Sequence, residues 1–278
     1  MGPNGGPIEL VNSVAGLASF LGSLLLYAGY IYTHAYFGYF HLDSFAIGLS
    51  TFELIVRSLR LATLPTFEML AVVLLVPGVL RLLAALNVPQ RYLRWIRQVG
   101  LAVARAYIVV AAVGIALLLL WRWIQPFGWI APLLVAVGLL LGRTPAASQG
   151  NGFRGPVWGR AVSLAVAGLF LIWAVALVAG QLGTRDARSD ADQVVRRVAV
   201  VVVSTNRLSM KSPGLVYEDL GPTQHYRYRY SGLRLLIERD HQYYVVSLGW
   251  RRNMDPTFVL QDGDNLRIEL GPGTQPRS

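Results

Sequence analysis

Apolar residues fall in long runs over the first two thirds of the chain and in short alternating ones after that. Runs at 8–32, 65–86, 104–121 and 161–182 are read as membrane-spanning helices. At about 1.5 Å per residue they approach or exceed a hydrocarbon core of about 30 Å. A further run, 127–141, reaches only about 22 Å as a helix; it is counted as a short fourth span, with a re-entrant segment as the alternative. Residues 49–64 (LSTFELIVRSLRLATL) differ in kind. Ser50 and Glu53 have the spacing of a capping box, and Phe52, Ile55, Val56 and Leu59 recur on one helical face beside Arg57 and Arg60. This predicts an amphipathic helix lying on a membrane surface.

The period changes near residue 184. Residues 184–193 form a charged linker, and from 194 to 270 short valine- and tyrosine-rich stretches predict strands. The stretches before and after Arg239-Asp240-His241-Gln242 read as one hairpin, and those around Asp262-Gly263-Asp264-Asn265 as a second. Residues 271–278 are a polar, disordered tail. The expected fold is thus an α-helical membrane domain of five spans, at 1–183, followed by a small β-rich soluble domain.

Composition strengthens the membrane reading. The 278 residues are 54% hydrophobic and 14% charged, against about 25% charged in soluble domains. Residues 1–183 carry a net +7 and residues 184–278 a net +3. No Asp or Glu occurs between Glu68 and Asp186, although Arg81, Arg91, Arg94, Arg97 and Arg105 lie in that interval. Arginines beside apolar runs meet anionic headgroups and set topology, so the bilayer is the expected partner and nucleic acid is not. Eight arginines near the spans on one side (the five just named with Arg143, Arg154 and Arg160) exceed five on the other (Arg57, Arg60, Arg122, Arg185 and Arg188). With five crossings, this places the N-terminus in the cytoplasm and the β-rich domain outside, in a bacterial plasma membrane.

Chemistry is sparse. Cysteine is absent, which removes disulfides, thiolate nucleophiles and cysteine metal sites. Phosphate-loop, dinucleotide, nucleophile-elbow and metalloprotease motifs are missing. Nothing speaks for an enzyme, and no cofactor is implied. His34 and Glu68 near one predicted interface could serve an ion path, or be an ordinary hydrogen-bonded histidine and a carboxylate at a helix start. Arg105 could line an anion path or snorkel to headgroups. Tyr32, Tyr36, Tyr39 and Asp43 form one helical stripe, and His34 and His41 share another face; the phenols are expected at the headgroup interface. Asp255, Asp262 and Asp264 lack the ligand series of a calcium loop and read as turn residues. In Tyr226-Arg227-Tyr228-Arg229-Tyr230, alternation puts phenols on one strand face and guanidiniums on the other. That is either a partner-binding strand or a plain core-and-solvent pattern.

Two segments carry a resemblance. YFGYFHLDSFAIGL (36–49) followed by FELIVRSL (52–59) resembles a pattern in uncharacterised multi-pass membrane proteins of actinobacteria, and YRYSGLRLLIERDHQYYVV (228–246) is similar to their β-rich tail. The resemblance covers about a third of the chain and implies no catalytic residue. The expected function is a membrane-anchored binding, sensing or scaffold module acting through the β-rich domain. The alternative is an oligomeric channel or solute-transport component that self-associates through its Gly/Ser-rich spans.

Overall fold

The computed structural model describes residues 7–44, 47–62, 107–120, 123, 127–141 and 157–273. Within them lie five α-helices and a six-stranded antiparallel sheet. The helices are α1 (Pro7–Tyr39), α2 (Thr51–Ala62), α3 (Tyr107–Leu119), α4 (Ile130–Leu141) and α5 (Val157–Asp192). The strands are β1 (Ala199–Ser204), β2 (Val216–Asp219), β3 (Tyr228–Arg239), β4 (Gln242–Ser247), β5 (Phe258–Gln261) and β6 (Leu266–Gly271).

The expectation of five spans is not met. Among the described residues one helix is long and apolar enough to cross a membrane, by length and composition: α5, over Val162–Asp192. Only 28% of its most apolar window is buried within the chain, whereas the core helix of a soluble domain would be covered on most sides. Helices α3 and α4 are apolar but have 13 and 12 residues, about 20 and 18 Å, well short of the ~30 Å core. They pack as a pair in which Gly114 lies against Val135 and Gly138 against Ala111. The expected span at 65–86 lies outside the described residues. The inside–outside assignment rested on the parity of five crossings and loses its basis with them.

The chain divides into two compact units, Met1–Ile31 with Thr51–Ala179, and Tyr32–Ser50 with Gly180–Ser278. In the first, α2 begins at Thr51, directly after the serine that the capping pattern singled out. It rests on α1 at Gly29, where an added Cβ would meet the Leu54 carbonyl oxygen at 2.6 Å and Ser58 Cβ at 2.9 Å. Only glycine permits that approach.

The second unit joins the end of α1, the end of α5 and the sheet. Helix α1 ends in a Schellman motif: Leu42 N–H bonds the Phe37 carbonyl at 3.0 Å and His41 N–H that of Gly38 at 3.2 Å. His41 takes φ 63° to close it, and Leu42 and Phe37 share a core. His41 has left the helix, so it shares no helical face with His34. The sequence expected to be a linker forms roughly the last two and a half turns of α5, which remains helical through Asp192.

The sheet order is β5-β4-β3-β1-β6, with β2 pairing the first part of β3. The β3–β4 hairpin forms as expected, and Asp240 and His241 both take positive φ, as a two-residue type I′ turn requires. The second expected hairpin does not form. Strands β5 and β6 are joined by 262–265 yet occupy opposite ends of the sheet order. Five flat strands would separate them by about 19 Å. So short a link requires a curled sheet, and side chains from both end strands pack against one core of Val200, Val202, Tyr230, Leu233, Val245 and Leu260. Alternate residues of β4, Tyr244 and Val246, face the other way. There they join Phe37, Phe40, Ile47, Ala187 and Trp250 in a second core. Burying each large apolar side chain contributes about 1.5–3 kcal/mol, so the helix ends are bound to the sheet by hydrophobic packing first.

Candidate functional site

The densest polar arrangement lies in the second unit, where two helical ladders meet. Tyr32 and Tyr36 are four apart on α1; Asp186 and Asp190 are four apart on α5. Equal spacing puts each pair one turn apart on a single face. Tyr32 donates its phenol proton to Asp186 at 2.7 Å, and Tyr36 donates to Asp190 at 2.5 Å. The helices come close enough because Gly183 has no Cβ to strike the Tyr32 carbonyl oxygen.

Arg197 completes the arrangement. It follows the short 3-10 turn Val194–Arg196 that leads into β1. One of its nitrogens donates to Asp190 at 2.7 Å and also reaches the Tyr36 hydroxyl; the other donates to the Leu236 carbonyl of β3 at 3.2 Å. A single guanidinium therefore ties α1, α5 and the sheet. Burial pushes the Tyr36 phenol up to about 12; the Arg197 charge pulls it down, and the hydrogen bond to Asp190 raises it further. The phenol stays protonated and serves as a donor at ordinary pH.

One turn along, an aromatic group continues the face. Tyr39 and Phe40 have ring centroids 6.1 and 5.2 Å from Trp250, and the Arg252 guanidinium lies 4.6 Å over the Tyr39 ring, within cation–π range. Thr257 donates to the Phe40 carbonyl at 2.6 Å. The tyrosine stripe expected at lipid headgroups is used here for protein packing.

Of the residues singled out by sequence, His34 is exposed, with its Nδ1 3.3 Å from the Ser44 hydroxyl. Glu68, Arg105, Arg81, Arg91, Arg94 and Arg97 lie outside the described residues. The alternating strand resolves residue by residue. Tyr230 is buried; its hydroxyl accepts from the Leu208 N–H at 2.7 Å and donates to the Leu208 carbonyl at 3.1 Å. Tyr228 packs against the same core. Arg227 makes a two-pronged contact with Asp219 on β2, at 2.9–3.2 Å, which holds that carboxyl below its usual range. Arg229 lies 3.6 Å from Glu218. Both guanidiniums thus face carboxylates, which weakens any attraction for a polyanion. Tyr226 stands edge-on to His225 at 4.8 Å.

Asp255 is buried and accepts from the Arg251 N–H at 2.8 Å, closing a turn, while Asp262 and Asp264 sit exposed in the β5–β6 connection. Among the described residues no group of three or more His, Asp or Glu side chains is placed to hold a metal ion. Sequence reading missed Asp186, Asp190, Arg197 and Trp250. The matching four-residue spacings of the two ladders were its available signal.

No family model, curated protein or solved structure matches the chain, so no residue's role is taken from a relative.

Proposed function

We propose that this protein is a membrane-anchored binding module whose sheet-bearing unit presents a partner surface. One observation carries the reading. Helix α5 runs unbroken from an apolar, largely uncovered stretch to Asp190, which Tyr36 and Arg197 lock to the end of α1 and the sheet. The clamp orders the sheet-bearing unit around the end of α5, and a surface ordered in advance loses less freedom on meeting a partner.

The partner surface in this reading is the patch around Tyr217 on β2. All four β2 residues are exposed. Tyr217 stacks on Tyr228 with ring centroids 6.1 Å apart, and Arg207 lies 5.3 Å over its ring; Val216 and Leu220 beside it are also exposed. A preordered aromatic ring flanked by apolar side chains is the composition of an interface anchor. The partner class is a protein or other envelope component. The location is a membrane, with no number of crossings and no sidedness assigned.

Photocrosslinking tests this in intact membranes. A benzophenone side chain at Val216 should give discrete adducts, and one at the exposed turn residue Asn253 should not. Identical adduct patterns at the two positions would remove the proposed surface.

A further inference from the structure

The first unit holds a helix with one face spent and the other uncovered. On α2, Phe52, Ile55, Val56 and Leu59 are 72%, 44%, 49% and 56% exposed. They recur at i, i+3, i+4 and i+7, one continuous arc. The other face is committed to α1. Ser58 is buried, its hydroxyl donates to the Ile55 carbonyl at 2.7 Å, and its Cβ fits against Gly29. Turning α2 to hide its apolar arc would push Phe52 or Leu59 into a space that admits no side chain at residue 29.

We infer that this outer face of α2 contacts lipid: the helix lies in the headgroup–acyl boundary of a phospholipid bilayer, with Phe52, Ile55, Val56 and Leu59 toward the acyl chains. The inference rests on the membrane-anchor reading of α5 and extends it to a second, non-spanning contact. Three observations favour lipid. Twelve residues make about 18 Å, too short to cross a ~30 Å core, and only one side is apolar; this is the form of an interfacial helix. The helix meets α1 at Gly29, which lies between Tyr27 and Tyr30, and Tyr27 is exposed; phenols favour the membrane interface. The same unit exposes apolar side chains on other helices, including Phe20, Leu164, Leu169 and Trp173. A single protein groove would not cover such a spread, whereas a lipid phase would.

The chain has no cysteine, so single spin labels can be placed in the full-length protein without removing any residue. Labels at Phe52→Cys, Ile55→Cys, Val56→Cys and Leu59→Cys are compared with Leu169→Cys on α5 and Asn253→Cys in the exposed turn. The protein is held in nanodiscs of phosphatidylcholine with phosphatidylglycerol. Accessibility to oxygen is measured against accessibility to a water-soluble nickel chelate. The four α2 positions and residue 169 should favour oxygen, the inverse of residue 253. If residue 169 favours oxygen and the α2 positions favour nickel, the interfacial contact is overturned and the anchor stands. If residue 169 also favours nickel, the anchor reading fails and takes the inference with it. Protection of the α2 labels from both reagents means that protein, such as a second copy, covers the face, and that too overturns the proposal.

Discussion

Tyr36 and Asp190 stand 154 positions apart in sequence and share a hydrogen bond of 2.5 Å, with Arg197 on the same carboxylate at 2.7 Å. The carboxylate is about half-exposed, so Arg197 alone would contribute modestly; the phenol is what converts a surface ion pair into a three-way junction. Tyr36→Phe should destabilise the protein by about 1–3 kcal/mol, because Asp190 and Arg197 each lose a partner. Tyr36→Phe combined with Asp190→Asn should cost less than the two separate effects added, with a coupling of about 0.5–3 kcal/mol. Denaturant unfolding of the four chains in detergent gives that coupling. Strict additivity would mean that the junction acts as independent contacts.

The same phenol predicts a pH dependence. An unfolded tyrosine ionises near 10, and Tyr36 in the fold is held to about 12. Between those values the unfolded chain has released the proton and the folded chain has kept it. Stability contributed by Tyr36 is therefore complete below pH 10 and declines by about 1.4 kcal/mol per pH unit until pH 12. The stability difference between the wild type and Tyr36→Phe should shrink across this window. Tyrosinate absorbance of the two folded chains should differ by one late-titrating phenol.

Gly183 sets the spacing between the ladders. Gly183→Ala places a methyl on the Tyr32 carbonyl, and overpacking of this kind typically costs about 1–3 kcal/mol. Gly168→Ala, also on α5, meets nothing within 4 Å and should be neutral or stabilising by up to about 1 kcal/mol, since alanine is the better helix former. Opposite signs in thermal unfolding would separate close packing from helix propensity. A loss at residue 168 equal to that at 183 would refute it.

His41 occupies a left-handed conformation that carries a steric penalty for any residue with a Cβ. His41→Gly should therefore raise stability by about 1 kcal/mol, reduced by the loss of the imidazole contact with Trp250 at 5.8 Å. A lower midpoint than wild type would show that the ring contact outweighs the backbone relief.

The division between helical and β-rich halves was legible because it rests on local periodicity. Continuous apolar letters over 161–182 and alternation over 226–230 each report a neighbour relation within a few residues. The β3–β4 hairpin was legible for the same reason, since its turn is a property of Asp240 and His241. The count of crossings was not. It assumed that each apolar run becomes one helix of its own length, and helix ends depend on what packs around them.

Sequence alone offered five apolar stretches as spans, of which the one at 161–182 is apolar and long enough as a helix to cross a membrane; it also determined that 49–64 contains a two-faced helix and that strands follow residue 194. Tertiary structure decided that the second faces of these elements meet. It matched the Tyr32–Tyr36 ladder to Asp186 and Asp190, continued α5 through residues that looked like a tether, and sent β5 and β6 to opposite ends of one curled sheet. The physical reason is distance along the chain. The four-residue spacing of each ladder is visible in its own segment, but which ladder faces which, 154 positions away, is decided by the packing of Phe37, Phe40 and Trp250 around them.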